Sequence, residues 1–261
     1  MNFRYLSALC LLWATALSLL GCGGGGASAN GGPVQPPVVA AGVYSGIVSQ
    51  RNFVGVLTSD GFLYGLLEAT IDDLYSGRVT VIGTTGSEAM PLNFFRNTSA
   101  TLVSVNSSIT PLTDGTVSVR MSQPDLNPDL NFATHKPVLQ AASLTNVAHP
   151  WSGKLSYGLG SNLSFPININ SAGDITATSG FGNSTACQLI GGSKIAPTSS
   201  TANVFNLTLV IANITSCTLF TDQTLTGVAF VLANPEAGVT QRLVWIATTA
   251  NGIGISFKAD R

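Results

Sequence analysis

The sequence predicts an all-β protein: two small antiparallel up-and-down barrels or barrel-like sheets in tandem, placed after a signal peptide and a tether. Three observations predict it. Apolar and polar residues alternate with period two over much of the chain. Turn signals recur about every eight to twelve residues, and helical periodicity is nearly absent.

The alternation is plainest in five stretches. Val79 and Val81 alternate with Arg78 and Thr80, and Val117, Val119 and Met121 with Thr116, Ser118 and Arg120. Leu163, Phe165, Ile167 and Ile169 alternate with Ser164, Pro166, Asn168 and Asn170. Phe205, Leu207, Leu209 and Ile211 alternate with Asn206, Thr208 and Val210, and Ile253, Ile255 and Phe257 with Gly254, Ser256 and Lys258. Each reads as a half-buried strand. Pro166 lacks an N–H for a ladder and so belongs at an edge or a bulge. Asp60-Gly61, Asp114-Gly115, Ala172-Gly173 and Asn251-Gly252 supply turns. The best helical candidate, Val138 to Ala148, allows a turn or two before His149-Pro150 ends it.

That stretch and the proline-rich segment before it divide the chain near Pro150. The first half opens with Tyr44-Ser45-Gly46 and the second with Trp151-Ser152-Gly153. Each continues with a strand, a glycine turn and another strand, and each is long enough for about eight short strands. Barrel closure would remove the exposed edges that threaten a chain rich in β-formers. The expected organisation is residues 1–21 signal peptide, 22–41 tether, 42–150 N-terminal β domain with the interdomain segment, and 151–261 C-terminal barrel-like domain.

The start of the chain carries an export pattern. Arg4 precedes an apolar run from Tyr5 to Leu20, too short for the ~20 residues of a span, and the run ends in Leu19-Leu20-Gly21-Cys22. These last four residues resemble the lipobox of bacterial lipoproteins. The resemblance implies cleavage before Cys22, acyl chains (palmitate among them) on that cysteine, and anchoring to a membrane. Several acyl chains anchor stably where one does not. Gly23 stands where an aspartate would imply inner-membrane retention, so the resemblance implies the outer membrane of a Gram-negative bacterium. Gly23 to Gly26 and Pro33, Pro36 and Pro37 mark the tether, which cannot pack and would stand the folded part off the lipid.

Charged residues are only 9% of the chain, and without Arg4 there are ten Lys/Arg against twelve Asp/Glu. No basic patch suits nucleic acid. Cys10 leaves with the signal and Cys22 takes lipid, which leaves Cys187 and Cys217. In an oxidising compartment these read as a disulfide. The alternative, a metal pair, lacks a third or fourth soft ligand nearby.

Tyr44-x-Gly46, Asp60-Gly61, Trp151-Ser152-Gly153, the series Cys187, Pro197, Cys217 and Gly227, and the terminal Arg261 resemble a group of uncharacterised proteobacterial lipoproteins with tandem barrel-like halves. More distantly the chain resembles the barrel lobes of transferrin-binding and factor-H-binding lipoproteins. Neither resemblance carries over a binding residue. A barrel that itself spans the outer membrane is not expected. One strand face is Ser, Thr, Asn and Arg, and the chain ends in Lys258-Ala-Asp-Arg261.

Chemistry-bearing motifs are scarce. His135 and His149 stand beside prolines and read as surface or linker residues. There is no Gly-x-Ser-x-Gly, Ser-x-x-Lys or His-Glu-x-x-His. Asp72-Asp73, the only adjacent acidic pair, reads as a solvated turn. Asp125, Asn127, Asp129 and Asn131 have the spacing of a calcium loop, but Leu130 stands where glycine is needed and Lys136 where a glutamate should close it. Phe53, Phe62, Tyr64, Phe94 and Phe95 read as core before pocket lining, and Trp151 and Trp245 as core. The expectation is therefore a non-enzymatic, lipid-anchored envelope protein without cofactor or metal. It would bind a macromolecular partner, protein or glycan, through barrel loops. A small-ligand carrier with a cavity inside a barrel and an enzyme of unrecognised type are the alternatives.

Overall fold

The described alternating segments form strands, and Gly61, Gly173 and Gly252 sit where the chain reverses; Val79 to Val81 and Asp114-Gly115 lie outside the described residues. The computed structural model describes residues 42–48, 51–69, 71–78, 90–111, 117–122, 131–132, 143–158, 160–181, 187–198, 204–212, 217, 220 and 223–261. Cys22, the signal peptide, the tether, His135, and Asp125, Asn127 and Asp129 lie outside the described residues.

The first sheet has eight strands in sequence order. They are β1 (Gly42–Val48), β2 (Arg51–Leu57), β3 (Phe62–Leu67), β4 (Asp73–Arg78), β5 (Met90–Arg96), β6 (Thr101–Pro111), β7 (Val117–Ser122) and β8 (Asn131–Phe132). Each pairs antiparallel with its neighbour in the chain, so the sheet is an up-and-down meander. At the β2–β3 turn Gly61 takes φ 82°, a left-handed conformation that a side chain resists.

The second sheet holds β9 (Pro150–Tyr157), β10 (Gly160–Ile169), β11 (Ile175–Ala177), β12 (Lys194–Pro197), β13 (Val204–Val210), β14 (Thr224–Glu236), β15 (Val239–Thr248) and β16 (Gly254–Asp260). Its spatial order is β11-β10-β9-β16-β15-β14-β13-β12. The first and last strands therefore pair, Leu155 with Phe257. The remaining gap, β11 to β12, is bridged where Ile175 N–H donates to the Ser193 carbonyl (2.9 Å) and Ile195 N–H to that of Gly173 (2.8 Å). The result is a nearly closed up-and-down barrel. Pro166 follows a register shift between Asn162 and Phe165 on β10, a bulge of the kind its missing N–H requires.

Two glycines make this curvature possible. A Cβ on Gly153 of β9 would lie 2.0 Å from the Lys258 carbonyl oxygen, and one on Gly227 of β14 would lie 1.9 Å from that of Ile246. Neighbouring backbones come this close only where strands bend sharply, as at barrel corners.

The barrel interior is packed with side chains. Trp151, Leu155, Phe165, Phe205, Leu207, Trp245 and Phe257 are buried there. Phe165 meets Phe181 edge to face with centroids 5.8 Å apart, and Trp245 lies 4.6 Å from Phe257. One end is plugged by the 3-10 turn Leu144–Asn146 and buried Val147, whose carbonyl accepts from Trp151 Nε1 at 3.0 Å. This single turn is what the described part of the expected helical stretch contains. At the other end Phe181 packs on Phe220, 6.2 Å centroid to centroid, beside the Cys187–Cys217 disulfide (Cα–Cα 4.9 Å).

No strand is exchanged between the sheets, yet the sheets share a core. Val54, Val56, Leu66, Leu74 and Phe95 of the first sheet pack on the barrel's outer face at Val204, Val228, Phe230, Val244 and Ile246. β15 is consequently buried on both faces from Leu243 to Thr248. The half-buried pattern expected from the sequence holds for β10 and β13, whereas β2, β3, β4 and β15, which lie at this shared core, are buried more evenly. All described residues fall in one compact unit.

Candidate functional site: a polar clasp between the sheets

The segment from Glu68 to Asp73, between β3 and β4, places the carboxylates of Glu68 and Asp72 against β9 and β16 of the barrel and that of Asp73 against its own sheet. The sequence reading of Asp72-Asp73 as a solvated turn is corrected here: Asp72 is 0% exposed and Asp73 6%. Asp72 is buried beneath the barrel wall and Asp73 within the first sheet, and burial without partners would be prohibitive for either charge. The partners are present.

Asp72 Oδ1 accepts from the Ala69 N–H at 3.0 Å and from Lys258 Nζ at 3.0 Å, with Lys154 Nζ at 3.9 Å. Its Oδ2 accepts from the hydroxyls of Ser156 (3.4 Å) and Ser256 (3.3 Å). Lys154 and Lys258 are cross-strand partners on β9 and β16, as are Ser156 and Ser256. The period-two rule explains the grouping: in these strands Leu155, Ile255 and Phe257 point inward, so the four polar residues point outward onto Asp72. Lys258 also reaches Glu68 Oε1 at 3.3 Å, and Lys154 donates to the Ala69 carbonyl at 2.7 Å. Lys154 holds its proton less tightly than a free lysine, first because burial penalises the ammonium; nearby Asp72 works the other way.

Asp73 faces the first sheet's own interior. Arg51 Nη1 donates to it at 3.0 Å, and the Asn97 N–H at 3.2 Å. Arg51 also holds the carbonyls of Leu67 and Glu68, and Asn97 Nδ2 donates to the Asp72 carbonyl. Desolvation dominates at Asp73 and raises its pKa despite Arg51. Deeper along the same face, Tyr75 stacks on Phe94 at 4.7 Å, and its buried hydroxyl meets no hydrogen-bond partner among the described residues. Burial pushes its pKa well up.

The other sequence candidates fall elsewhere. Trp151, Trp245, Phe53, Phe94 and Phe95 are buried, while Phe62 and Tyr64 are half-buried. His149 is not a free surface residue: its ring lies 4.4 Å from that of Trp151 at the plugged barrel end. Cys187 and Cys217 are joined. Among the described residues no three of His, Cys, Asp and Glu are placed to hold a metal ion, and no helix is long and apolar enough to cross a membrane. The clasp went unread in the sequence because its members stand up to 190 positions apart. The available signal was the aligned Lys154-x-Ser156 and Ser256-x-Lys258 on strands whose alternate residues are apolar. Comparison of the chain with protein-family models, with curated proteins and with solved structures finds no match.

Proposed function

We propose that this protein is a non-enzymatic, lipid-anchored envelope protein that binds a macromolecular partner through its loops and outer surface. The observation that carries the reading is the filled barrel. Trp245, Phe165 and Phe257 are 0% exposed inside it, and described side chains pack at both its ends, which supports a ligand that meets the outside of the barrel. A carrier needs an enclosed pocket of ~300 Å³ or more instead. The Leu19-Leu20-Gly21-Cys22 ending supports the anchor, and the following Gly/Pro-rich residues support a tether that presents the folded part away from lipid.

The test has two arms. Cells fed a clickable palmitate should label the wild type and not Cys22→Ser, and an inhibitor of lipoprotein signal peptidase should block processing. Photo-crosslinking residues at the exposed turn positions Ser59 and Ala237 should then capture one defined macromolecule in intact cells, and much less of it from Cys22→Ser. An unlabelled wild type would remove the anchor. A stoichiometric small molecule in native mass spectra, without any crosslinked partner, would replace the binding reading with the carrier.

A further inference from the structure

We propose that Lys258 and Asp72 form an intramolecular isopeptide bond, with Glu68 as the proton-transferring group, so that the two sheets become covalently joined. The observation behind it is the meeting of two carboxylates on one nitrogen. Lys258 Nζ lies 3.0 Å from Asp72 Oδ1 and 3.3 Å from Glu68 Oε1, in a site where the Asp72 side chain is fully buried and those of Lys258 and Glu68 are 16% and 18% exposed.

The surroundings match what amide formation needs at each atom. Oδ2 is held by two hydroxyls, Ser156 and Ser256, which would stabilise the charge that develops there in a tetrahedral intermediate and remain as donors to the amide oxygen. Oδ1 is the leaving oxygen, and the Ala69 N–H and both lysines lie on its side. The step balances without an outside reagent. The Lys258 ammonium gives one proton to Oδ1, and the neutral amine attacks Cγ to form the C–N bond. Glu68 takes a second proton from the nitrogen and delivers it to Oδ1, which departs as water. Nothing is oxidised or reduced. Glu68 and Lys154 are left as a charge-balanced pair.

Two physical terms favour the product. The folded sheets hold Lys258 Nζ 3.0 Å from Oδ1 of the carboxyl it attacks, and well-oriented positioning of this kind is equivalent to an effective concentration on the order of 10⁵ M or more. The reaction also replaces two buried charges by a neutral, hydrogen-bonded amide, which removes a desolvation penalty. Water expelled from a fully buried carboxyl site has little means of return to hydrolyse it.

The experiment is peptide mapping of the full-length protein from its native envelope, reduced, alkylated and digested with trypsin. A linked peptide should appear that joins residues 52–78 to residues 243–261, lighter than the sum of its parts by one water, with cleavage after Lys258 lost. Free 52–78 and free 243–258 should be nearly absent. In Lys258→Arg, which keeps the charge, the linked peptide should vanish. In Glu68→Gln its formation during refolding should slow by roughly a hundredfold, the scale of a lost proton-transfer group. Recovery of both peptides unlinked from the wild type would leave an ion pair only and overturn the proposal. Linkage at the wild-type rate in Glu68→Gln would overturn the role of Glu68.

Discussion

At the scale of single residues, the molecule places unusual groups where they can be tested one at a time. The Tyr75 hydroxyl is buried without a partner among the described residues, so it costs free energy that a phenylalanine would not. Tyr75→Phe should leave stability unchanged or raise it by about 1 kcal/mol, read as the denaturation midpoint. A loss of more than that would show that the hydroxyl is bonded after all. Asp73 offers a test by pH. Its folded pKa lies above the ordinary 3.8, so the folded state holds the proton more tightly than the unfolded chain does. Its contribution is greatest below 3.8 and shrinks as pH rises from there through the folded pKa, the reverse of an exposed, ion-paired carboxylate. Wild type minus Asp73→Asn, measured by urea titration across that window, should fall with rising pH. A difference that grows instead would mean that Arg51 outweighs burial.

At the scale of elements, strands bend because of glycine and the barrel end is held by a disulfide. Gly153→Ala and Gly227→Ala would each drive a methyl group into a neighbouring strand's backbone. Each should cost about 1–3 kcal/mol, the range for overpacking, and the thermal midpoint should drop accordingly. An unaltered melt would mean that the ladders are looser than drawn. Replacing Cys187 and Cys217 together by serine opens a closed loop of 30 residues and should cost roughly 3.5 kcal/mol by loop entropy. These elements also show what was legible beforehand. The strands at residues 160–169 and 204–210 were plain because each has one solvent face, which writes apolar–polar alternation into the sequence. The strands around Val54, Leu66 and Val244 carry apolar or small residues on both faces. There the alternation vanishes, and only packing between the halves explains why. The buried state of Asp72 was illegible for the same reason: the partners that permit it come from the other end of the chain.

At the scale of the whole molecule, the two eight-stranded sheets are distinct in connectivity but not in energetics. The sequence reads residues 151–261 as a domain of its own. In that fragment Val204, Val228, Phe230, Val244 and Ile246 would meet water, and Lys154 and Lys258 would lose Asp72. Expressed by itself it should bind a hydrophobic dye, self-associate and melt well below the intact protein. Co-expression with residues 42–150 should restore one cooperative transition. A monomeric fragment with an unchanged melting temperature would show the shared core to be dispensable. The pairing of β9 with β16 has a further, kinetic consequence. The two strands are separated by roughly a hundred residues of chain, so the barrel cannot shut until its most distant segments have found each other. Until then β9 and β16 present unpaired edges, and the intermediate is sticky. Folding of this half should be slow relative to the meander before it, and the unfinished barrel is the species that a chaperone would have to shield.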